Sequence, residues 1–165
     1  MGPLTMFPRR LRSERGAELI EMAIVTPILL LIIGAIFDFG MLFRSWEVVT
    51  NAAREGARVG VLPAYTDNEN VRQRVEQYMQ VSGIASACTL QTPVAGVCPA
   101  TACSVCVQTV TLNTGAGNYQ ARVVQVRANQ TLPSLSTFAP FFGGSFGTVP
   151  VSAISAMRAE TAAVP

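Results

Sequence analysis

The sequence predicts an α+β fold in which one long N-terminal helix, transmembrane below and amphipathic above, packs on a small antiparallel sheet beside a second, shorter helix. Three observations carry this expectation. An apolar run from Met22 to Phe43 passes into a stretch of small residues at three- and four-residue spacing, with no breaker between them. A helix-capping signal follows at Thr66 to Glu69. Beyond Gly83 the hydrophobic period falls from helical spacing towards two, the alternation of half-buried strands.

The apolar run carries one charge, Asp38, and a bilayer core of about 30 Å is crossed by about 20 apolar helical residues. Arg9, Arg10, Arg12 and Arg15 precede the run and Arg44 follows it. That asymmetry places the N-terminus in the cytoplasm and the rest of the chain outside. A secretory signal peptide fits poorly, because its apolar core spans about 7 to 15 residues and ends in a small-x-small site. Pro27 removes the hydrogen bond to the carbonyl of Ala23 and predicts a kink, with Thr26 placed to satisfy the freed group. Gly34 and Gly40 read either as flat places for a second helix or as ordinary lipid-facing positions. Asp38 lies about 25 Å along the helix from Glu21, which makes it an interfacial carboxylate at the outer headgroups.

The helix continues outward. Val49, Ala52 or Ala53, Gly56 and Gly60 form a stripe of small residues against which a sheet or helix can pack closely, and Glu47, Arg54, Glu55 and Arg58 form a solvated flank. Trp46 suits headgroup depth. The second helix starts from a capping box, Thr66 to Glu69, buries Val71, Val75 and Tyr78, and stops at Gly83. Three strands are expected at Ser104 to Leu112, Tyr119 to Thr131 and Thr148 to Met157, the first two joined by a glycine-containing loop from Asn113 to Asn118. In the last strand Val149, Val151, Ala153 and Met157 share the face towards the long helix, and Pro150 belongs at an edge or near the strand start. Between the last two strands, Phe138, Phe141, Phe142 and Phe146 sit among prolines and glycines. That loop either folds over the sheet edge or offers a contact to another subunit.

Cys88, Cys98, Cys103 and Cys106 all fall on the segment assigned outside the membrane. An even count in a small domain in an oxidising compartment favours disulfides, and three pairings are open. Zinc wants two close cysteine pairs, and only Cys103 and Cys106 have that spacing. A redox motif wants a strand-to-helix turn, but Ser104 to Gln108 reads as strand. The 165 residues include no histidine, so the commonest general base and metal ligand are missing. The net charge of +2 comes largely from the leader arginines, which leaves no basic patch for nucleic acid. No catalytic constellation, phosphate loop, small-molecule site or cofactor site stands out, and an enzyme is not expected.

Gly16 stands on the basic side of the apolar run, with Glu21 five residues later. This arrangement resembles a type IV prepilin processing site, where a membrane peptidase cuts after a glycine at the cytoplasmic face. Together with Phe37-Asp38-Phe39-Gly40 and Asn51-Ala-Ala-Arg-Glu-Gly-Ala-Arg58, the segment resembles the TadE-like pilin-related proteins of tight-adherence pili, with Met22 where such sites often carry Phe or Tyr. The resemblance covers about a third of the chain. It implies a cut between Gly16 and Ala17 by a prepilin peptidase, a place in the bacterial inner membrane with a periplasmic or extracellular C-terminal domain, and partnership with other pilin-like subunits and the pilus assembly machinery. The implied organisation is a basic leader over residues 1–16, a transmembrane helix over 17–43, its amphipathic continuation over 44–62 and an α+β domain over 63–165. A different class of reading remains: an unprocessed single-pass anchor that presents a cysteine-bearing redox or metal-binding domain.

Overall fold

Helix α1 runs Glu14–Gly60, 47 residues without interruption at Pro27. At 1.5 Å per residue this is a rod of about 70 Å, longer than the remaining domain needs as packing support. The computed structural model describes residues 14–63, 67–85, 87–99, 101–114, 117–138, 140 and 147–159. Residues 1–13 of the leader expected over residues 1–16, together with Phe141, Phe142 and Phe146, lie outside the described residues, as does the side chain of Phe138.

Helix α2 spans Asn68–Val81. Its N-cap is Asp67, whose carboxylate accepts from the Glu69 N–H at 3.2 Å, one position later than the expected capping box; Thr66 lies outside the described residues. An aspartate is at least as good a cap as a threonine, and the acid wins the position. The C-terminus closes as the sequence predicts. Gly83 takes a φ of +71°, its N–H reaches the Gln80 carbonyl at 2.9 Å, and the Ile84 N–H reaches Met79 at 3.1 Å. This is a Schellman closure, which favours glycine because it needs the left-handed conformation. Val71, Val75 and Met79 are fully buried, and Tyr78 packs at the margin of the core. Met79 takes the deep place expected for Tyr78, because four-residue steps from Val71 lead to it.

Strands β1 (Thr89–Gln91), β2 (Cys103–Thr114), β3 (Gly117–Thr131) and β4 (Thr148–Arg158) form one sheet in the order β1-β2-β3-β4. The three long strands match the expected ones and pair antiparallel. Two features differ from expectation. Pairing of β2 with β3 extends to Thr114 opposite Gly117, so the expected six-residue loop is a tight hairpin whose two turn residues lie outside the described residues. The sheet is also mixed, because β1 pairs parallel with β2. Three residues are too few to show a period of two in a sequence. A further helix, α3, Pro133–Phe138, interrupts what reads as loop.

Alternation along the strands sorts the sheet into two faces. Cys103, Val105, Val124, Val126, Ala128 and Val151 point to one core shared with Val49, Ala52, Ala53 and Ala57 of α1 and the buried stripe of α2. Ala153 and Met157 of β4 also pack against this core, as their alternation predicts. Gly56 shows how close the approach is: a Cβ there would meet Val75 Cγ2 at 2.6 Å and Val124 Cγ1 at 3.3 Å. The opposite face is covered near β2 by the segment between β1 and β2. There the Cys98 N–H donates to Gln125 Oε1 at 3.1 Å, and Ser104 Oγ donates to the Pro99 carbonyl at 2.5 Å.

Candidate functional site

The lower part of α1 is built from leucine, isoleucine, valine and methionine, strong helix formers among them, and none of the described residues covers it. Every residue from Ala17 to Ile33 is exposed. The helix is long and apolar enough to cross a membrane. Burying such a sleeve in a bilayer removes a large apolar area from water, at roughly 25 cal/mol per Å².

At the start of this sleeve, Gly16 lies in the first turn of α1, which begins at Glu14. Ala17 and Glu21 are both exposed and four residues apart, one above the other on one face, about 6 Å along the axis. An amine freed at Ala17 would face the Glu21 carboxylate across one helical turn. Pro27 lies midway along the bare stretch and is likewise exposed.

The upper boundary of the sleeve is set by Asp38 and Gly34, and the structure gives both a role that periodicity alone missed. Asp38 is 4% exposed although it sits in an apolar stretch. Its two carboxylate oxygens accept from the backbone of α3: Oδ1 from the Ser134 N–H at 3.2 Å and Oδ2 from the Leu135 N–H at 2.7 Å. The carboxylate thus caps α3 from another helix, and the favourable end of the α3 dipole faces its charge. One turn below, a Cβ on Gly34 would stand 2.9 Å from Ser134 Cβ. Gly34 is therefore the flat place the sequence suggests, and the helix that uses it belongs to the same chain. Among the described residues nothing lies within 4 Å of a Cβ at Gly40. The signal for this contact was present in the sequence: a lone acid in an apolar run needs a partner, and Pro133 is a favoured first helical residue. Above Asp38, the buried Ser45 hydroxyl donates to Gln130 Oε1 at 2.6 Å, tying the base of β3 to α1.

The cysteines form two disulfides, Cys88–Cys103 and Cys98–Cys106, one of the three open pairings. Cys103 and Cys106 are three apart in β2 and so face opposite sides of the sheet. The first bridge staples the entry to β1 into the helix-facing core. The second holds the β1–β2 segment over the far face. All four sulfurs are buried and shared between the two bridges, so no thiolate is left as a metal ligand, and buried structural cysteines are inert. On α2, Arg72 bridges Glu69 and Glu76 and donates to the Cys88 carbonyl at 2.9 Å. The hydrogen bond from Arg72 holds the Glu69 carboxyl below its ordinary range, and the same contact raises Arg72.

The bare helix, the glycine in its first turn and the small-residue stripe above fall within one stretch of sequence. Residues 16–58 match the family model of TadE-like proteins. The matched stretch ends two residues short of the end of α1, so it is this helix that is similar to TadE-like, pilus-related proteins, and the similarity implies association with components of a pilus system. No curated protein and no solved structure matches the chain. The sheet, α2, α3 and the two disulfides lie outside the TadE-like segment.

Proposed function

We propose that this chain is a pilin-like, pseudopilin subunit of a tight-adherence pilus system, held in the inner membrane by α1 and used in pilus assembly or initiation. The observation that carries this reading is the coincidence of the TadE-like match with one continuous helix, bare below Gly34 and clad by its own domain above. A subunit that moves from membrane to filament needs a helix that lipid can cover first and neighbouring helices later. The bare sleeve suits both. A prepilin peptidase cuts between Gly16 and Ala17, and the new α-amine of Ala17 pairs with Glu21 of a neighbouring subunit to set register. The domain lies on the oxidising side of the membrane, where its disulfides persist. Its role is structural, without catalysis.

Intact mass of membrane-extracted protein tests the reading: the expected N-terminus is Ala17. Gly16→Val leaves the longer precursor, because the side chain obstructs close approach of the backbone to the peptidase. Glu21→Ala is still cleaved but fails to enter the pilus or its assembly complex. Normal incorporation of Glu21→Ala would reduce Glu21 to a residue at the membrane boundary, and an uncleaved wild-type chain would remove the pseudopilin reading.

A further inference from the structure

Asp38, Gly34 and α3 have a consequence for where the domain meets lipid. With Glu21 at the near headgroups, about 20 residues bring the far edge of the hydrocarbon to the region of Met41. Gly34 and Asp38 then lie about 5 to 10 Å inside that edge. α3 is fixed to both residues by the Ser134 contact and by the two hydrogen bonds to Asp38, so it lies at the same depth.

The polar groups of α3 are arranged for such a depth. In lipid a backbone polar group must find its partner within the protein. Pro133 brings no N–H, and the N–H groups of Ser134 and Leu135 donate to Asp38. The Ser136 N–H donates to the Leu132 carbonyl at 2.9 Å. The hydroxyls of Ser136 and Thr137 fold back onto the Pro133 carbonyl at 2.9 and 2.8 Å. In water these hydroxyls would need no internal partner. Leu135 remains 43% exposed, and on α1 at and above this level Phe37, Phe39, Phe43 and Trp46 are more than half exposed. Trp46 is of the kind that collects at membrane interfaces, and the three phenylalanines add apolar surface whose removal from water is favourable.

We propose that α3, with the aromatic side chains of α1 around it, is embedded just inside the headgroup boundary of the leaflet on the domain's side. The chain then touches the membrane twice, through the spanning helix and through a short interfacial helix clamped to it by Asp38. The occupant of this apolar surface is lipid, because the surface is continuous with the bare sleeve of the same helix. The inference rests on the membrane-spanning reading of α1.

The test uses the full chain in phosphatidylcholine–phosphatidylglycerol vesicles. Flotation reports whether α1 inserts. Trp46 is the only tryptophan, so its quenching by headgroup-attached spin labels fixes the level of the bilayer along α1 without any substitution. A Leu135→Trp, Trp46→Phe chain then reports on α3, with bromines placed high or low on the lipid chains and with aqueous iodide. Val81→Trp in the same background is the solvent control, since Val81 is 86% exposed on α2. The expected result is headgroup quenching of Trp46, and at position 135 a blue-shifted emission quenched by shallow bromines and protected from iodide. Floating chains with water-like emission and iodide quenching at position 135, or at Trp46, overturn the embedded helix and leave the spanning reading intact. Protection from iodide without bromine quenching, lost on dilution into excess lipid, assigns the surface to a second copy and also overturns it. Failure to float overturns the spanning reading, and the inference with it.

Discussion

Between Ala17 and Ile33, α1 presents bulky aliphatic side chains on every side and all are exposed, whereas between Val49 and Ala57 of the same helix one stripe of valine, alanine and glycine is fully buried against α2 and the sheet. The difference follows from what each half meets. Lipid is fluid and conforms to any side chain, so large apolar surface is favourable and its shape is unconstrained. A folded domain is close-packed, so the upper half must match fixed neighbours, and small residues let the backbones approach. Asp38 marks the change: below it the Gly34 contact is the one approach of α3 seen among the described residues, and above it one face of the helix packs on the domain.

The largest break in this comparison comes from the disulfides. Cys88→Ser with Cys103→Ser opens a loop of sequence separation 15, and removing a closure of that size costs about 3 kcal/mol in the chain-entropy estimate. Urea denaturation of the extracted protein should show the loss in the domain, while membrane flotation through the lower half of α1 stays unchanged. A loss of flotation would mean that the two halves are coupled.

Two glycines of α1 sharpen the contrast at single positions. Gly56→Val drives methyl groups into Val75 and Val124, and overpacking of this kind costs about 1 to 3 kcal/mol. At Gly40→Val the new Cβ meets nothing within 4 Å among the described residues, and the denaturation midpoint stays where it was. Equal effects at the two positions would show that the Gly56 contact is not tight.

Asp38→Ala probes the boundary itself. It removes the cap of α3, a loss of about 0.5 to 2 kcal/mol by analogy with N-caps. Amide exchange at Ser134 and Leu135 should accelerate while the amides of β2 and β3 keep their protection. Unchanged exchange at those two amides would remove Asp38 as the clamp.

The smallest effect lies on α2, far from the membrane. Because Arg72 holds the folded Glu69 carboxyl below its ordinary range, this pair stabilises the fold fully above that range. The contribution fades as pH falls through it towards the lowered pKa. The Glu69 side chain is half-buried and still open to solvent, which screens the pair, so the change is small. Glu69→Gln should flatten the acid limb of a stability–pH curve slightly; a steeper limb would contradict the sign.

What the sequence alone determined are the features encoded by local periodicity and local chemistry. The continuous apolar-to-small pattern of α1, the Gly83 stop and the three long alternating strands are legible because each depends on neighbours a few residues away. The glycine and acids at the start of α1 are legible for the same reason, as a short linear motif. Tertiary structure decided the rest. The choice of Cys88–Cys103 and Cys98–Cys106 depends on which face of β2 each sulfur takes and on what lies above it. The parallel placement of β1 depends on a strand of three residues that carries no period. The role of Asp38 depends on residues 96 and 97 positions away: a buried carboxylate must find donors, and only the folded chain brings the first turn of α3 to it.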